Sequence, residues 1–172
     1  MNETKEIQNN TYLTFHLDEE LYGLNIHLVR EVLEYTPITK VPMTADFMRG
    51  VINVRGHVVP VVDLRLKFGL EPAEQTVNTC IIIVELMIEG EPATMGALVD
   101  GVQEVLDITP EQIEDPPRLG SKINTRYLQG IAKLPEQFVI LLDIQAIFST
   151  EELSMLAEIH QERMETAESK DE

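Results

Sequence analysis

A chain of 172 residues with 44% hydrophobic content is long enough for one packed domain or two small ones, yet 30 acidic against 13 basic side chains leave a formal charge of -17. That balance argues against nucleic acid, which needs Lys and Arg to neutralise phosphates, and against adhesion to an anionic membrane surface. His16, His27, His57 and His160 are scattered without ligand spacing, and no CxxC, HExxH, GxxxxGK or GxSxG occurs, so the expected partners are proteins and no metal or cofactor is expected.

Taken in chain order, MNETKEIQNN has no apolar h-region, and residues 1–11 read as a flexible N-terminus. Apolar runs such as CIIIV and VVPVV are far too short to cross a bilayer, so a soluble, cytoplasmic protein is expected. YLTFHL alternates and is followed by the turn-like DEE and by LYGL, which predicts a hairpin. EVLEY reads as a short strand and FMRG as one helical turn closed by Gly50. Two β-branched runs, Val51 to Val54 and Val58 to Val62, flank Arg55-Gly56-His57 and predict a second hairpin, in which Gly56 makes the reversal and Arg55 is a charged tip. Pro60 inside that strand requires a bulge or a position that needs no ladder hydrogen bond.

CIIIVELMI, EGEP and TMGALV predict a third hairpin, with Cys80 as a lone, buried packing thiol suited to a reducing compartment. EVLDI is another short strand, YLQG another glycine-closed turn, and GIAKLPEQFVILLD another hairpin. Beyond Phe148, Ser149 with Glu152 forms a capping-box pattern, and Leu153, Leu156, Ala157 and Met164 share one helical face. A C-terminal helix and acidic tail are therefore expected over 149–172, the eight acids and two bases after Thr150 reading as a solvated face.

The same order of elements occurs twice. GVINVRGHVVPVVDLRLKF at 50–68 matches GIAKLPEQFVILLDIQAIF at 130–148, pairing Gly50 with Gly130 and Asp63 with Asp143. YGLNIHLVREVL matches MGALVDGVQEVL at an offset of 73, pairing Glu31 with Glu104. The extra length of the second copy falls in the Pro-rich EDPPRLGSK. We read an internal duplication, with a first repeat at about 12–70 and a second at about 78–148 inside one domain at 12–148. Short strands at close spacing, twice over, predict a mainly β protein of two small barrels. Arg55 faces Pro135 in this alignment, so the hairpin is common to both copies while its tip chemistry is not.

Asp63 and Asp143 admit two readings. Each could cap the helical turn that follows its strand, or the pair could supply one carboxylate per copy to a small-molecule-binding or hydrolytic site. The Leu-Arg and Ile-Gln that follow are not the small residue and glycine that let two such loops approach each other. Ile26, Leu28 and Val29 crowd a short bend where the second copy has Val99, Gly101 and Val102, which is either core filling or a bulkier apolar edge.

YGLNIHLVREVLEYTPITKVP, FMRGVINVRGHVVPVVDLRLKFGL, LVDGVQEVLDIT, YLQGIAKL and ILLDIQAIF together resemble the CheW family of chemotaxis coupling (adaptor) proteins, from about Tyr12 to Phe148. The resemblance implies two SH3-like five-stranded barrels, whose terminal strands can cross from one to the other. It also implies a non-catalytic scaffold joining the cytoplasmic tips of methyl-accepting chemoreceptors to the regulatory domain of the histidine kinase CheA. By the same resemblance Leu13, Ile26, Val29 and Arg55 match the kinase side, and Glu31, Gly50, Arg55, Val99 and Val102 match the receptor side. Asn25 departs from the Asp often found there, and the hairpin at 85–94 is longer than usual.

Overall fold

Alternating and β-branched stretches form eleven strands in the computed structural model, which describes residues 10–42, 46–88, 90–116 and 127–147. The first repeat runs β1 (Thr11–Leu17), β2 (Glu20–Asn25), β3 (Val29–Glu34), β4 (Met48–Val54) and β5 (His57–Asp63), then a helical turn α1 (Leu64–Lys67). The second runs β6 (Cys80–Ile88), β7 (Glu91–Val99), β8 (Gly101–Asp107), β9 (Ile113–Glu114), β10 (Leu128–Lys133) and β11 (Phe138–Leu142), then α2 (Ile144–Ile147). The predicted hairpins are the antiparallel pairs β1–β2, β4–β5, β6–β7 and β10–β11. The expected C-terminal helix and the EDPPRLGSK loop from Pro117 onward lie outside the described residues.

Sheet membership does not follow the repeats. One sheet has the order β8-β1-β2-β11-β10-β9 and the other β3-β6-β7-β5-β4, so each half places its leading hairpin against the strands of the other half. Both exchanges use the same pairings: β1 runs antiparallel to β8 as β6 does to β3, and β2 runs parallel to β11 as β7 does to β5. Each sheet closes on itself. The chain leaving β8 returns as β9 against β10, and the chain leaving β3 bridges Thr39 to Val51 of β4. One closure is long enough to count as a strand and the other is a single bridge, which is why the sheets have six and five strands.

Three apolar clusters follow from this. Tyr12, Leu21, Ile108, Ala132, Val139 and Leu141 fill the first barrel, and Ile52, Val59, Val61, Ile81, Ile83 and Leu98 fill the second. The third lies between them and draws on both sheets, including Leu13, Phe15 and Leu17 of β1 and Ile82, Val84 and Leu86 of β6. The exchanged hairpins thus bury both faces, one inside a barrel and one between barrels. That is why CIIIV is continuously apolar where a strand with one wet face would alternate.

Two expectations change. FMRG and YLQG are not helical turns, because Met48–Gly50 and Leu128–Gly130 are already strand, each with a register shift just before its glycine. The glycines are there for close approach. A Cβ on Gly50 would stand 2.0 Å from the Thr39 carbonyl oxygen, and one on Gly130 would stand 2.9 Å from the Glu114 oxygen. Both lie where the closing segment crosses the barrel. Cys80 is half-buried rather than buried, and its thiol donates to the Asn78 carbonyl at 3.0 Å.

Pro60 meets its condition. Its partner Val51 spends both backbone groups on Thr39, so Val51 and Pro60 exchange no hydrogen bond, and the parallel pairing of β5 to β7 begins only at Val61. Nothing asks Pro60 for the N–H it lacks.

Candidate partner-binding surface

The β4–β5 connection has two central residues, and both adopt positive φ: 51° at Arg55 and 85° at Gly56. This is the backbone sense that matches the twist of flanking strands. Gly56 adopts it freely, and the Asn53 Oδ1 steadies it by accepting from the Gly56 N–H at 2.8 Å. Arg55 therefore shares in making the turn rather than merely decorating it. A non-glycine residue in this region is uncommon, and here it aims a long cation back along the barrel wall.

The target is Glu31 on β3. Arg55 Nη2 lies 2.6 Å from Glu31 Oε2, with the arginine side chain 73% exposed and the glutamate 23% exposed. The hydrogen bond to Glu31, and then its charge, push the Arg55 pKa further above its ordinary value. The other carboxylate oxygen, Glu31 Oε1, is buried and has no hydrogen-bond partner among the described residues. Glu31 is thus a carboxylate held at one oxygen by one exposed cation. Its repeat counterpart Glu104 is exposed and engages through its backbone, whose N–H and carbonyl both bond the Thr14 hydroxyl. The copies have diverged at this pair, which gives Arg55 at the hairpin tip something to hold and leaves most of its donor fork facing solvent.

The other expected contact residues divide by burial. Ile26 and Val29 are half-buried, lying in and just after the short turn between β2 and β3 and packing on the central cluster. Val102 is the half-buried counterpart of Val29 on β8, opposite Phe15. Leu13 and Val99 are buried members of the central cluster, at 5% and 1% exposure, and Gly50 is buried beneath the Thr39 crossing. Leu13, Val99 and Gly50 shape the surface from below; Ile26, Val29, Glu31, Arg55 and Val102 can present atoms to a partner.

Comparing the repeats for differences passed over two residues. Val32 and Val105 occupy equivalent positions on β3 and β8, are identical in both copies, and are exposed by 40% and 51%. The signal that finds them is an apolar residue repeated in both copies at the exposed phase of alternation along the strand. Phe138, at 62% exposure, leads out of the hairpin that corresponds to the Arg55 turn.

Asp63 and Asp143 are helix caps. Asp63 Oδ1 accepts from the backbone N–H of Arg65 at 2.9 Å and of Leu66 at 3.4 Å, and Asp143 Oδ1 accepts from Ala146 at 3.1 Å. Each carboxylate caps its own turn through Oδ1, with Asp63 Oδ2 also 4.0 Å from Arg49 Nη1, and no three of His, Cys, Asp or Glu form a group that could hold a metal ion among the described residues. Burial raises the Asp63 pKa, against the opposing pull of the Leu66 and Arg65 backbone bonds. A raised pKa means that the folded state binds more protons than the unfolded state just above the ordinary Asp range. The ionised carboxylate therefore lowers stability at neutral pH, and that loss is relieved as pH falls through the folded pKa. Asp63→Asn keeps the acceptor and sheds the charge, so it should melt at or above wild type at pH 7, with the difference fading toward pH 4. Asp63→Ala should lose about 1 kcal/mol through the missing cap. Thermal melts across pH check both.

A family model for the CheW-like domain matches residues 11–152. The chain is 38% identical over 145 residues to the chemotaxis protein CheW of Klebsiella aerogenes, covering 84% of this chain and 85% of that one. It is 32% identical over 140 residues to the probable chemotaxis protein CheW of Rhizobium etli, covering 81% and 88%. The crystal structure of the scaffolding protein TtCheW from Thermoanaerobacter tengcongensis superposes with a TM-score of 0.73 at 38% identity, over 82% of this chain and 88% of that one. With the two-barrel fold, the duplicated glycines and caps, and these matches, the chain belongs to the CheW family of chemotaxis proteins.

Proposed function

We propose that the protein is a non-catalytic adaptor that couples the cytoplasmic tips of chemoreceptors to the histidine kinase CheA, working in the cytoplasm at membrane-associated arrays. The observation that supports it best is the Arg55–Glu31 pair, a largely exposed cation on the hairpin tip held by a carboxylate whose other oxygen is buried. A scaffold needs separate surfaces with apolar anchors in a polar rim. Ile26, Val29 and Arg55 form the kinase side of this reading, with Leu13 beneath them. In this reading Glu31, Arg55 and Val102 serve the receptor side, with Gly50 and Val99 buried and exposed Val105 lying further along β8 from Val102. No helix among the described residues is long and apolar enough to cross a membrane, so array recruitment in this reading runs through the protein partners.

Reconstitution tests the proposal. Purified chain mixed with kinase and with membranes carrying receptor should raise kinase autophosphorylation at least tenfold over kinase and receptor without it. Capture from lysate with this chain as bait should retain both partners. Retention of neither, with no rise in kinase output, would sink the reading.

A further inference from the structure

Arg65 and Gln145 occupy the same position of the repeat, two residues after the capping Asp63 and Asp143, and both leave their own barrel. Gln145 grips the β6–β7 hairpin: its Oε1 accepts from the Met87 N–H at 3.1 Å and its Nε2 donates to the Met87 carbonyl at 2.7 Å. Arg65 makes the corresponding reach with charge. Its Nη1 lies 2.6 Å from Asp100 Oδ2, its Nη2 lies 3.8 Å from Asp18 Oδ1, and its Nε donates to the Glu71 carbonyl at 2.8 Å. The same Asp100 oxygen accepts from the Asp18 N–H at 2.7 Å, and the Asp100 N–H donates to the His16 carbonyl at 3.0 Å. Asp18 is in the β1–β2 turn of one barrel, α1 belongs to the other, and Asp100 is where the chain crosses between them from β7 to β8.

We infer that Arg65 is a positioning residue that sets the angle between the barrels, through an ionic joint on one side of the molecule that is matched by a neutral amide joint at Gln145 on the other. Its side chain is only 12% exposed, so the contact is screened less by salt than a surface pair, and its hydrogen bonds to Asp100 and Glu71, with the Asp18 charge nearby, hold the guanidinium in one orientation. The rest of α1 supports the same joint. Lys67 Nζ stands 4.5 Å from the Phe47 ring centroid and 5.5 Å from that of Tyr127, and Phe68 stacks on Tyr22 of β2 with centroids 6.0 Å apart. Phe47 and Tyr127 are equivalent residues of the two repeats, so Lys67 lies across the pseudo-symmetric boundary. The spacing of the barrels on this side depends on this joint; the consequence for receptor binding rests on the adaptor reading above, but the joint itself does not.

The test uses the full chain. In wild type, residual dipolar couplings from both barrels should fit one alignment tensor. In Arg65→Gln, which removes the charge and leaves a side chain too short to reach Asp100 and the Glu71 carbonyl together, two tensors should be needed. The Asp18 and Asp100 amides should exchange with solvent at least tenfold faster, while Ile82 and Val84 amides in the central core stay unchanged. Asp100→Asn, of the same shape, should show the same local pattern if the first variant folds poorly. Arg65→Lys should recover part of the protection. Gln145→Ala should release the Met87 amide and leave Asp18 protected. A single tensor and wild-type exchange in Arg65→Gln and Asp100→Asn would overturn the inference, and so would a uniform rise in exchange across both barrels in both variants. A loosened joint, with two tensors and faster Asp18 and Asp100 exchange, but unaltered receptor binding would instead count against the adaptor reading.

Discussion

Gly50→Ala should destabilise the protein by about 3 kcal/mol, lowering Tm by roughly 10 °C. Two causes act together. Gly50 stands at φ 140°, which L side chains rarely adopt, and a Cβ there would meet the Thr39 carbonyl oxygen at 2.0 Å and its carbon at 2.7 Å. Both contacts are backbone, and that backbone closes the second barrel through the Thr39–Val51 bridge, so it cannot move aside without opening the closure. Two controls separate the causes. Gly56→Ala, at φ 85° with nothing within 4 Å, carries only the backbone strain and should lose about 1 kcal/mol. Gly130→Ala meets the Ile113 Cγ2 at 2.6 Å, which a side-chain rotation can relieve, and the Glu114 oxygen at 2.9 Å, so an intermediate loss of about 2 kcal/mol is expected. Melting curves of the three variants should rank Gly50, Gly130, Gly56. If Gly50→Ala melts like wild type and still loses partner binding, Gly50 is a contact residue and the close-approach explanation is wrong.

Exchanging the charges of Arg55 and Glu31 should separate their internal and external uses. Either single reversal, Arg55→Glu or Glu31→Arg, places two like charges where the 2.6 Å ion pair stood, and the double variant restores an opposite pair in the reverse sense. Melting should recover in the double variant. Under the proposed adaptor function, affinity for the kinase regulatory domain should not, because a partner built for a cation at the hairpin tip would then meet a carboxylate, and an interface arginine truncated or reversed weakens binding by roughly thirtyfold. Arg55→Gly is the cleaner truncation, since φ 51° suits glycine and the turn survives without the guanidinium. Recovery of both melting and affinity in the double variant would show that the pair serves only to hold β3 against the β4–β5 turn.

The family and much of the fold are legible in the chain itself. Hairpins announce themselves locally, by alternation and by a glycine in the reversal, and GVINVRGHVVPVVDLRLKF with its degenerate second copy carries the duplication and the capping role of Asp63 and Asp143. Those features depend on residues near one another in sequence, where backbone sterics and side-chain caps act. The path of the leading hairpins, by contrast, depends on residues far apart in the chain, such as Phe15 beside Val102 in β1–β8, 87 residues away, and Tyr22 beside Ile140 in β2–β11, 118 away. Either half offers the same edge to either hairpin, so no local pattern says which it takes. The role of Gly50 and Gly130 is hidden for the same reason: a glycine ending a short segment looks like a helix stop, and only the crossing of Thr39 or Glu114 shows that it makes room. Burial likewise needed the tertiary structure. Leu13 and Val99 are indistinguishable in sequence from Ile26 and Val102, and it is the packing of one barrel on the other that covers the first two and leaves part of the second two in reach of a partner.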